Sequence, residues 1–279
     1  MQSSWNSYLA TEELRALHGE AELAVILGSG LSALASGTEA LMQIPYARIP
    51  GFGRTSVEGH PGFVSLAAME GTPVLLFAGR FHAYEGLGAQ EVAAPVSLAA
   101  SLGCRRLIVT QAAGSLTRLL RTGSWMLATD AVCSPSNFGL ELNREPYRAD
   151  GSPVERSGAG APLLSERLSA ALRTAAKEAG CPLAEGVLCW TSGPTYETSA
   201  EGRAAAFMGG DAVTMSTLAE LVAARRLSLE CASMSWITNF TASVSCEKTE
   251  HRHVVLMGAE GVRTLRAILS SLIRERRNA

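Results

Sequence analysis

Thr72-Pro73-Val74-Leu75-Leu76-Phe77-Ala78 runs directly into Gly79-Arg80-Phe81-His82-Ala83-Tyr84-Glu85-Gly86. The first half is a short apolar run of the kind that forms a central strand buried on both faces. The second half places a guanidinium, an imidazole and a phenol at alternate positions just beyond it. Side chains alternate faces on extended backbone, so residues 80, 82 and 84 are expected to point the same way. Such a trio at a strand end suits an anion lying beside a hydroxylated molecule. A purely structural Arg80 would instead need a buried ion pair, with Glu85 or Glu91 as its acid.

The same pattern repeats outward from this strand. Apolar runs at Ala24–Leu27, Leu107–Thr110, Gly186–Trp190 and Ala232–Thr238 read as further buried strands. Helical periodicity is clear over Gln90–Leu102, Leu164–Ala179 and Glu260–Arg276, with Gly180 placed to cap the second of these. Basic Arg274 to Arg277 suit the carbonyl end of the last helix. Strands alternating with helices, and no internal repeat, predict a single α/β domain over residues 1–279 with a mixed, largely buried sheet. Its core is expected over about 20–277. Ser134 to Ala161, rich in Gly, Pro, Ser and charge, reads as a long loop of the functional or mobile kind.

Composition narrows the function. The chain has 279 residues, 47% of them apolar, and a formal net charge of −2, which argues against a nucleic-acid or anionic-membrane surface. No apolar run approaches the roughly 18 residues that would span a bilayer. Met1-Gln2-Ser3-Ser4-Trp5 lacks the basic and apolar regions of a signal peptide. The six cysteines form no Cys-x-x-Cys pair and read as reduced, mostly buried thiols of a cytoplasmic protein. No cluster has metal-ligand spacing, so neither a metal nor an organic cofactor is expected.

Other segments carry chemistry beside the first. Gly28-Ser29-Gly30 follows a strand and can cradle an oxyanion with close backbone amides and the Ser29 hydroxyl, or can be an ordinary tight turn. Glu58-Gly59-His60-Pro61-Gly62 offers a loop histidine. Ser192-Gly193-Pro194-Thr195-Tyr196-Glu197-Thr198 suits a flat heterocycle stacked on Tyr196 with its ring N–H on Glu197; alternatively Glu197 only favours a helix dipole. Thr214-Met215-Ser216-Thr217, with Glu220 nearby, offers Ser216 either as a helix cap or as an anion donor. Asn239, ending the last strand, presents one donor and one acceptor, or forms a turn. His251 sits in a charged stretch with His253.

In this order, these segments resemble the trimeric purine nucleoside phosphorylases over about residues 20–260. The resemblance rests on Gly28-Ser29-Gly30, Gly59-His60, Gly79 to Gly86, Ala112-Ala113-Gly114, Gly193 to Thr198, Met215-Ser216-Thr217 and Thr238-Asn239. It implies one α/β domain around a distorted mixed sheet flanked by helices, assembled as a homotrimer and serving purine salvage. It also implies phosphate-dependent cleavage of the N-glycosidic bond of purine nucleosides to free base and ribose 1-phosphate. By that likeness Ser29, His60, Arg80, His82, Ala112 and Ser216 hold phosphate, which is a co-substrate. Tyr84 and Met215 border the ribose, Tyr196 stacks on the base and His251 reaches the 5′-hydroxyl. Glu197 and Asn239 face the purine edge and, with His82, are the catalytic set.

The pair Glu197 and Asn239 points to inosine and guanosine. A 6-oxopurine carries hydrogen on N1, which a carboxylate accepts, whereas adenine presents a lone pair there. The chain departs from the family pattern at Gln111 (usually Asn), Ser115, Thr214 (usually Gly), Ser124 and Asp130-Ala131-Val132. The stretch from Asn137 to Ala161 lacks the family's recognisable segment that lends an aromatic to a neighbouring site; Phe138 and Tyr147 are the candidates. Two other readings stay open: a relative acting on methylthioinosine or methylthioadenosine, and a nucleoside-binding protein with weakened catalysis.

Overall fold

The structure, a computed structural model, describes residues 11–53, 55–57, 59–133, 162–246 and 250–277. The loop expected over 134–161, with Phe138 and Tyr147, lies outside the described residues, as does Glu58. The strands are β1 (Leu23–Leu27), β2 (Ala40–Pro45), β3 (Phe63–Met69), β4 (Thr72–Ala78), β5 (Arg106–Ser115), β6 (Trp125–Cys133), β7 (Ala184–Trp190), β8 (Ala212–Thr214) and β9 (Glu230–Phe240). The helices are α1 (Glu12–Leu17), α2 (Ala33–Ser36), α3 (Ala89–Val92), α4 (Ala94–Ser101), α5 (Glu166–Glu178), α6 (Ser199–Phe207), α7 (Leu218–Arg226) and α8 (His251–Arg277).

The strands form a mixed sheet in the order β2-β3-β4-β1-β5-β8-β7-β6-β9, and β9 returns to pair with β5. Alternation within each buried strand feeds two helical layers. Ala24 and Ile26 of β1 pack with Leu14, Leu17, Val96, Leu98 and Leu221 of α1, α4 and α7. Val25 and Leu27 face Leu168 and Leu172 of α5 and Leu265, Ile268 and Leu269 of α8. Burying one such aliphatic side chain stabilises by about 1.5–3 kcal/mol, so the two layers hold the sheet between them.

The distortion of the sheet creates the crevice. β9 lies parallel along β5 from Arg106 to Ser115. On its other side β5 pairs with β1 only as far as Val109 and with β8 only from Gly114. Among the described residues, no strand flanks that side of 110–113. β1 runs parallel to β5 and β8 antiparallel to it, so their carboxyl ends converge on this gap from opposite directions. Ligand sites of open α/β sheets favour such switch points. A Cβ on Gly28 would come within 2.7 Å of Gln111 Cα, which is how closely the turn after β1 crosses β5.

Helix ends follow local chemistry. Ser165 and Thr198 cap α5 and α6 by accepting from the amides of Leu168 and Glu201. Gly180 ends α5 at φ +68°, with Gly180 N–H bonded to Lys177 O and Cys181 N–H to Ala176 O, a Schellman closure. Two expectations need correction. The helix read over 90–102 is two short helices meeting at Ala93, with Pro95 in the first turn of α4 where its missing N–H loses nothing. The last helix begins at His251, not Glu260, because its polar, glycine-containing first turns rest on the turn after β1. The cysteines also differ in part: all six are free, but Cys133 and Cys181 are half-buried and Cys246 is exposed. No helix among the described residues is long and apolar enough to cross a membrane.

Candidate active site

A pocket opens at the gap beside residues 110–113 of β5. Its empty space, open solvent at the mouth included, is about 620 Å³. Ser29, Arg80, His82, Tyr84, Ala112, Met215, Ser216, Tyr196, Glu197, Asn239 and His251 all line it. His60 stands behind this lining, bonded to Ser29. Residues scattered from 29 to 251 are thus brought to one cavity by the ends of β1, β4, β5, β7, β8 and β9 and the start of α8.

Arg80 anchors one end and is only 1% exposed. Gly79 before it sits at φ +108°, and a Cβ there would lie 2.9 Å from His60 Cβ. The Tyr46 hydroxyl donates to the Gly79 carbonyl at 2.8 Å. Arg80 Nη1 donates to Ser216 Oγ at 2.8 Å, and Nε faces Glu220 Oε1 at 3.4 Å. Burial lowers the Arg80 pKa, with Glu220 opposing. The partner is therefore neither Glu85 nor Glu91, the acids expected from sequence. Glu85 bonds His82 and Ser56, and Glu91 caps the Gly88 amide. Phe81 points the opposite way, into an aromatic cluster with Tyr46 and Phe52.

His82 and Tyr84 follow in the same pocket, although Ala83–Glu85 is a 3-10 turn and not the extended backbone expected. Their rings stack with centroids 4.7 Å apart. His82 Nδ1 meets Glu85 Oε1 at 3.1 Å. Burial would raise the Glu85 pKa, but bonds from His82, Ser56 and the His82 amide prevail and bring it to about 2. Burial lowers the His82 pKa despite Glu85, and pushes His60 down further with help from His82 and Arg80. Both imidazoles are consequently neutral near pH 7. The bond to Glu85 assigns the His82 proton to Nδ1 and leaves Nε2 as an acceptor. Ser29 Oγ lies 3.2 Å from His60 Nε2.

The floor is a buried hydroxyl network. Gln111 donates to Ser233 Oγ at 2.9 Å and Ser235 Oγ at 2.7 Å, and accepts from Thr217 Oγ1 at 3.1 Å. Thr217 holds φ +86°, an unfavourable backbone for a β-branched residue. The Thr214 hydroxyl donates to Ala112 O at 3.2 Å and lies 3.3 Å from Ser216 Oγ. It is thereby tied to the Arg80 end and offers no loose donor elsewhere.

Tyr196, Glu197 and Asn239 also line the pocket. Asn239 Oδ1 accepts from Thr238 Oγ1 at 2.9 Å and Nδ2 donates to Phe240 O at 3.1 Å, which fixes the amide. Burial raises the Glu197 pKa, its own amide opposes, and Glu201 adds to the rise. Gly193, at φ +69°, packs so closely that a Cβ would lie 2.5 Å from Met215 Sδ and 2.9 Å from Tyr84 Cδ1. The segment 191–198 is thus closed against Met215 and Tyr84. His251, the first residue of α8, and Val254 complete the wall, whereas His253 is exposed.

Sequence reasoning attached no role to Glu220, Gln111 or Tyr46 in supporting this pocket. The one available signal was Arg80 itself, since a buried guanidinium demands a buried acid, but the sequence does not single out Glu220 as that acid.

The chain matches the model of the Phosphorylase superfamily over residues 22–274. It is 35% identical over 264 residues to purine nucleoside phosphorylase 1 of Geobacillus stearothermophilus, covering 90% of this chain and 91% of that protein. A crystal structure of Schistosoma mansoni purine nucleoside phosphorylase in complex with inosine superposes with a TM-score of 0.86 at 29% identity, covering 99% of this chain and 96% of that one. A complex of the same protein with adenosine gives 0.82 at 30% identity, covering 98% and 97%. Matched over almost its full length in sequence and in fold, the chain belongs to the Phosphorylase superfamily, among the purine nucleoside phosphorylases.

Proposed function

We propose that this enzyme cleaves the N-glycosidic bond of 6-oxopurine nucleosides, inosine and guanosine, with inorganic phosphate, releasing base and ribose 1-phosphate. The observation that carries the reading is that Arg80 and Glu197 line one and the same pocket. Phosphate binds at Arg80, Ser216, Ser29 and the backbone of Ala112, where charge-assisted donors surround a dianion. Neutral His82 accepts the remaining P–OH proton on Nε2, and neutral His60 supports Ser29 by donating from Nε2, so that the serine proton turns to the anion. Held there, phosphate sits below the anomeric carbon, and orientation alone lowers the barrier substantially.

The ribose lies between Tyr84 and Met215, its 5′-hydroxyl toward His251, and the purine stacks near Tyr196. As the glycosidic bond breaks, electrons move onto the purine. Asn239, its amide fixed by Thr238, donates toward N7 and O6, and one such preorganised donor is worth about 3–4 kcal/mol in the transition state. Glu197 accepts N1–H, present in a 6-oxopurine and absent in adenine. The chain acts as one catalytic domain over 1–279, in a homotrimer in the cytoplasm, on small molecules and not on nucleic acid or membrane.

The test supplies phosphate with inosine, guanosine, adenosine or methylthioinosine and quantifies free base and ribose 1-phosphate. Inosine and guanosine are expected to react at least about 10²-fold better than adenosine. The Schistosoma protein binds adenosine in a crystal, so turnover and not binding is the deciding measurement. Preference for methylthioinosine would move the 5′ assignment away from His251, and no base from any substrate would leave a nucleoside-binding protein.

A further inference from the structure

We propose that Glu220 is a positioning residue for the phosphate pocket: its buried carboxylate holds the Nε edge of Arg80, so that Nη1 meets Ser216 and Nη2 is kept for the anion. This rests on the phosphorolysis reading above, in which Arg80 is a phosphate ligand. A guanidinium has its donors in a rigid planar fork, so fixing two edges orients the third. Nε faces Glu220 Oε1 at 3.4 Å and Nη1 lies 2.8 Å from Ser216 Oγ. Among the described residues, buried Nη2 has no hydrogen-bond partner and no ion-pair contact, whereas Nε, also without a hydrogen bond, is held by the ion pair with Glu220.

Glu220 is 0% exposed and sits in the first turn of α7 between the buried residues Ala219 and Leu221. Neither of its carboxylate oxygens has a hydrogen-bond partner among the described residues, which leaves the Arg80 ion pair to offset its charge. A buried carboxylate so placed is unfavourable unless its cation remains in position. Its sole purpose in the fold cannot be to cap α7, because the Arg80 side chain it faces lines the cavity and continues to Ser216. Removing Glu220 frees the guanidinium to turn about its last side-chain torsions toward water or toward Tyr46, and the donor aimed at phosphate is lost.

The experiment is steady-state phosphorolysis of inosine at varied inorganic phosphate, with thermal melting to verify folding. Glu220→Ala is expected to raise the phosphate KM about tenfold or more, as misdirecting one charged donor to the anion does, with the inosine KM within about threefold. Glu220→Gln keeps an acceptor in place and should hold the phosphate KM within about threefold of the parent. An unchanged phosphate KM in Glu220→Ala, or a rise in Glu220→Gln as large as in Glu220→Ala, overturns the proposal. Should Glu220→Ala not fold, Glu220→Asp withdraws the carboxylate by one methylene; the same rise is expected, and a parental KM overturns it. Arg80→Ala separates the two readings. If it leaves the phosphate KM unchanged, the phosphorolysis assignment of Arg80 falls as well; if it alone raises the KM, only the role of Glu220 falls.

Discussion

Replacing Glu197 by glutamine probes the base end with almost no change in shape. The residue precedes the Thr198 cap, and its half-buried carboxylate lines the pocket with Tyr196 and Asn239. A hydrogen bond to a charged acceptor is worth about 1.5–3 kcal/mol, and partial exposure puts this one near 2 kcal/mol, about 30-fold in kcat/KM for inosine. Glutamine can instead donate to the N1 lone pair of adenine, gaining about 1 kcal/mol or about fivefold for adenosine. The ratio of inosine to adenosine kcat/KM should therefore fall by about 10²-fold. Both substrates are assayed by base release at saturating phosphate, so phosphate ionisation cancels in the ratio. Because burial raises the Glu197 pKa, the parent enzyme should lose its inosine advantage as pH falls toward that raised value, while Glu197→Gln shows a flat ratio. A ratio that moves by less than about threefold, or an unchanged pH dependence in the variant, refutes the assignment.

Asn239→Ala should lower kcat for inosine by about 10²-fold or more in the same assay, since it removes a donor aimed at developing charge. Gly258→Ala puts a Cβ within 2.3 Å of Ser29 O, so the first turns of α8 must shift off the anion loop; stability should drop by about 1–3 kcal/mol in urea unfolding, with a raised phosphate KM. Gln111→Leu strips partners from the hydroxyls of Ser233, Ser235 and Thr217, all buried, and should destabilise by about 2–4 kcal/mol by the same measurement. Glu85, with its folded pKa depressed from 4.5 to about 2, stabilises above the unfolded value and loses that contribution as pH falls from about 4.5 toward 2. Glu85→Gln should thus melt lower than the parent at pH 7, and the gap should shrink between pH 5 and 3.

The strand-end motifs were legible because buried parallel strands are continuous apolar runs and the residues after them break that pattern abruptly. Gly79 to Gly86, Ser216 and Asn239 announce themselves in this way, and the structure brings Arg80, His82 and Tyr84 of the first to one pocket with Ser216 and Asn239. β8 was not legible, being a three-residue strand whose pairing comes from β5 and β7 and not from local propensity. The start of α8 carries too little apolar periodicity, and its helix is secured by glycine contacts with Ser29 that only the fold supplies. Glu220 in a helix first turn is indistinguishable in sequence from an acid favouring the dipole, and only its burial against Arg80 separates the two. Local backbone also misled at Ala83–Glu85, where a 3-10 turn achieves the common orientation anticipated from extended alternation.

Among the described strands, β2 alone has a neighbour on one side only, since β9 closes back onto β5. Of these strands, Ala40–Pro45 is the outer margin open to backbone pairing by a peptide or second chain; Leu41 there is 55% exposed and Pro45 contributes no amide hydrogen. That margin lies beyond β3, β4 and β1 from the crevice. Aggregation seeded there would sequester molecules whose pockets remain intact, so turnover per soluble molecule should hold steady while soluble protein declines.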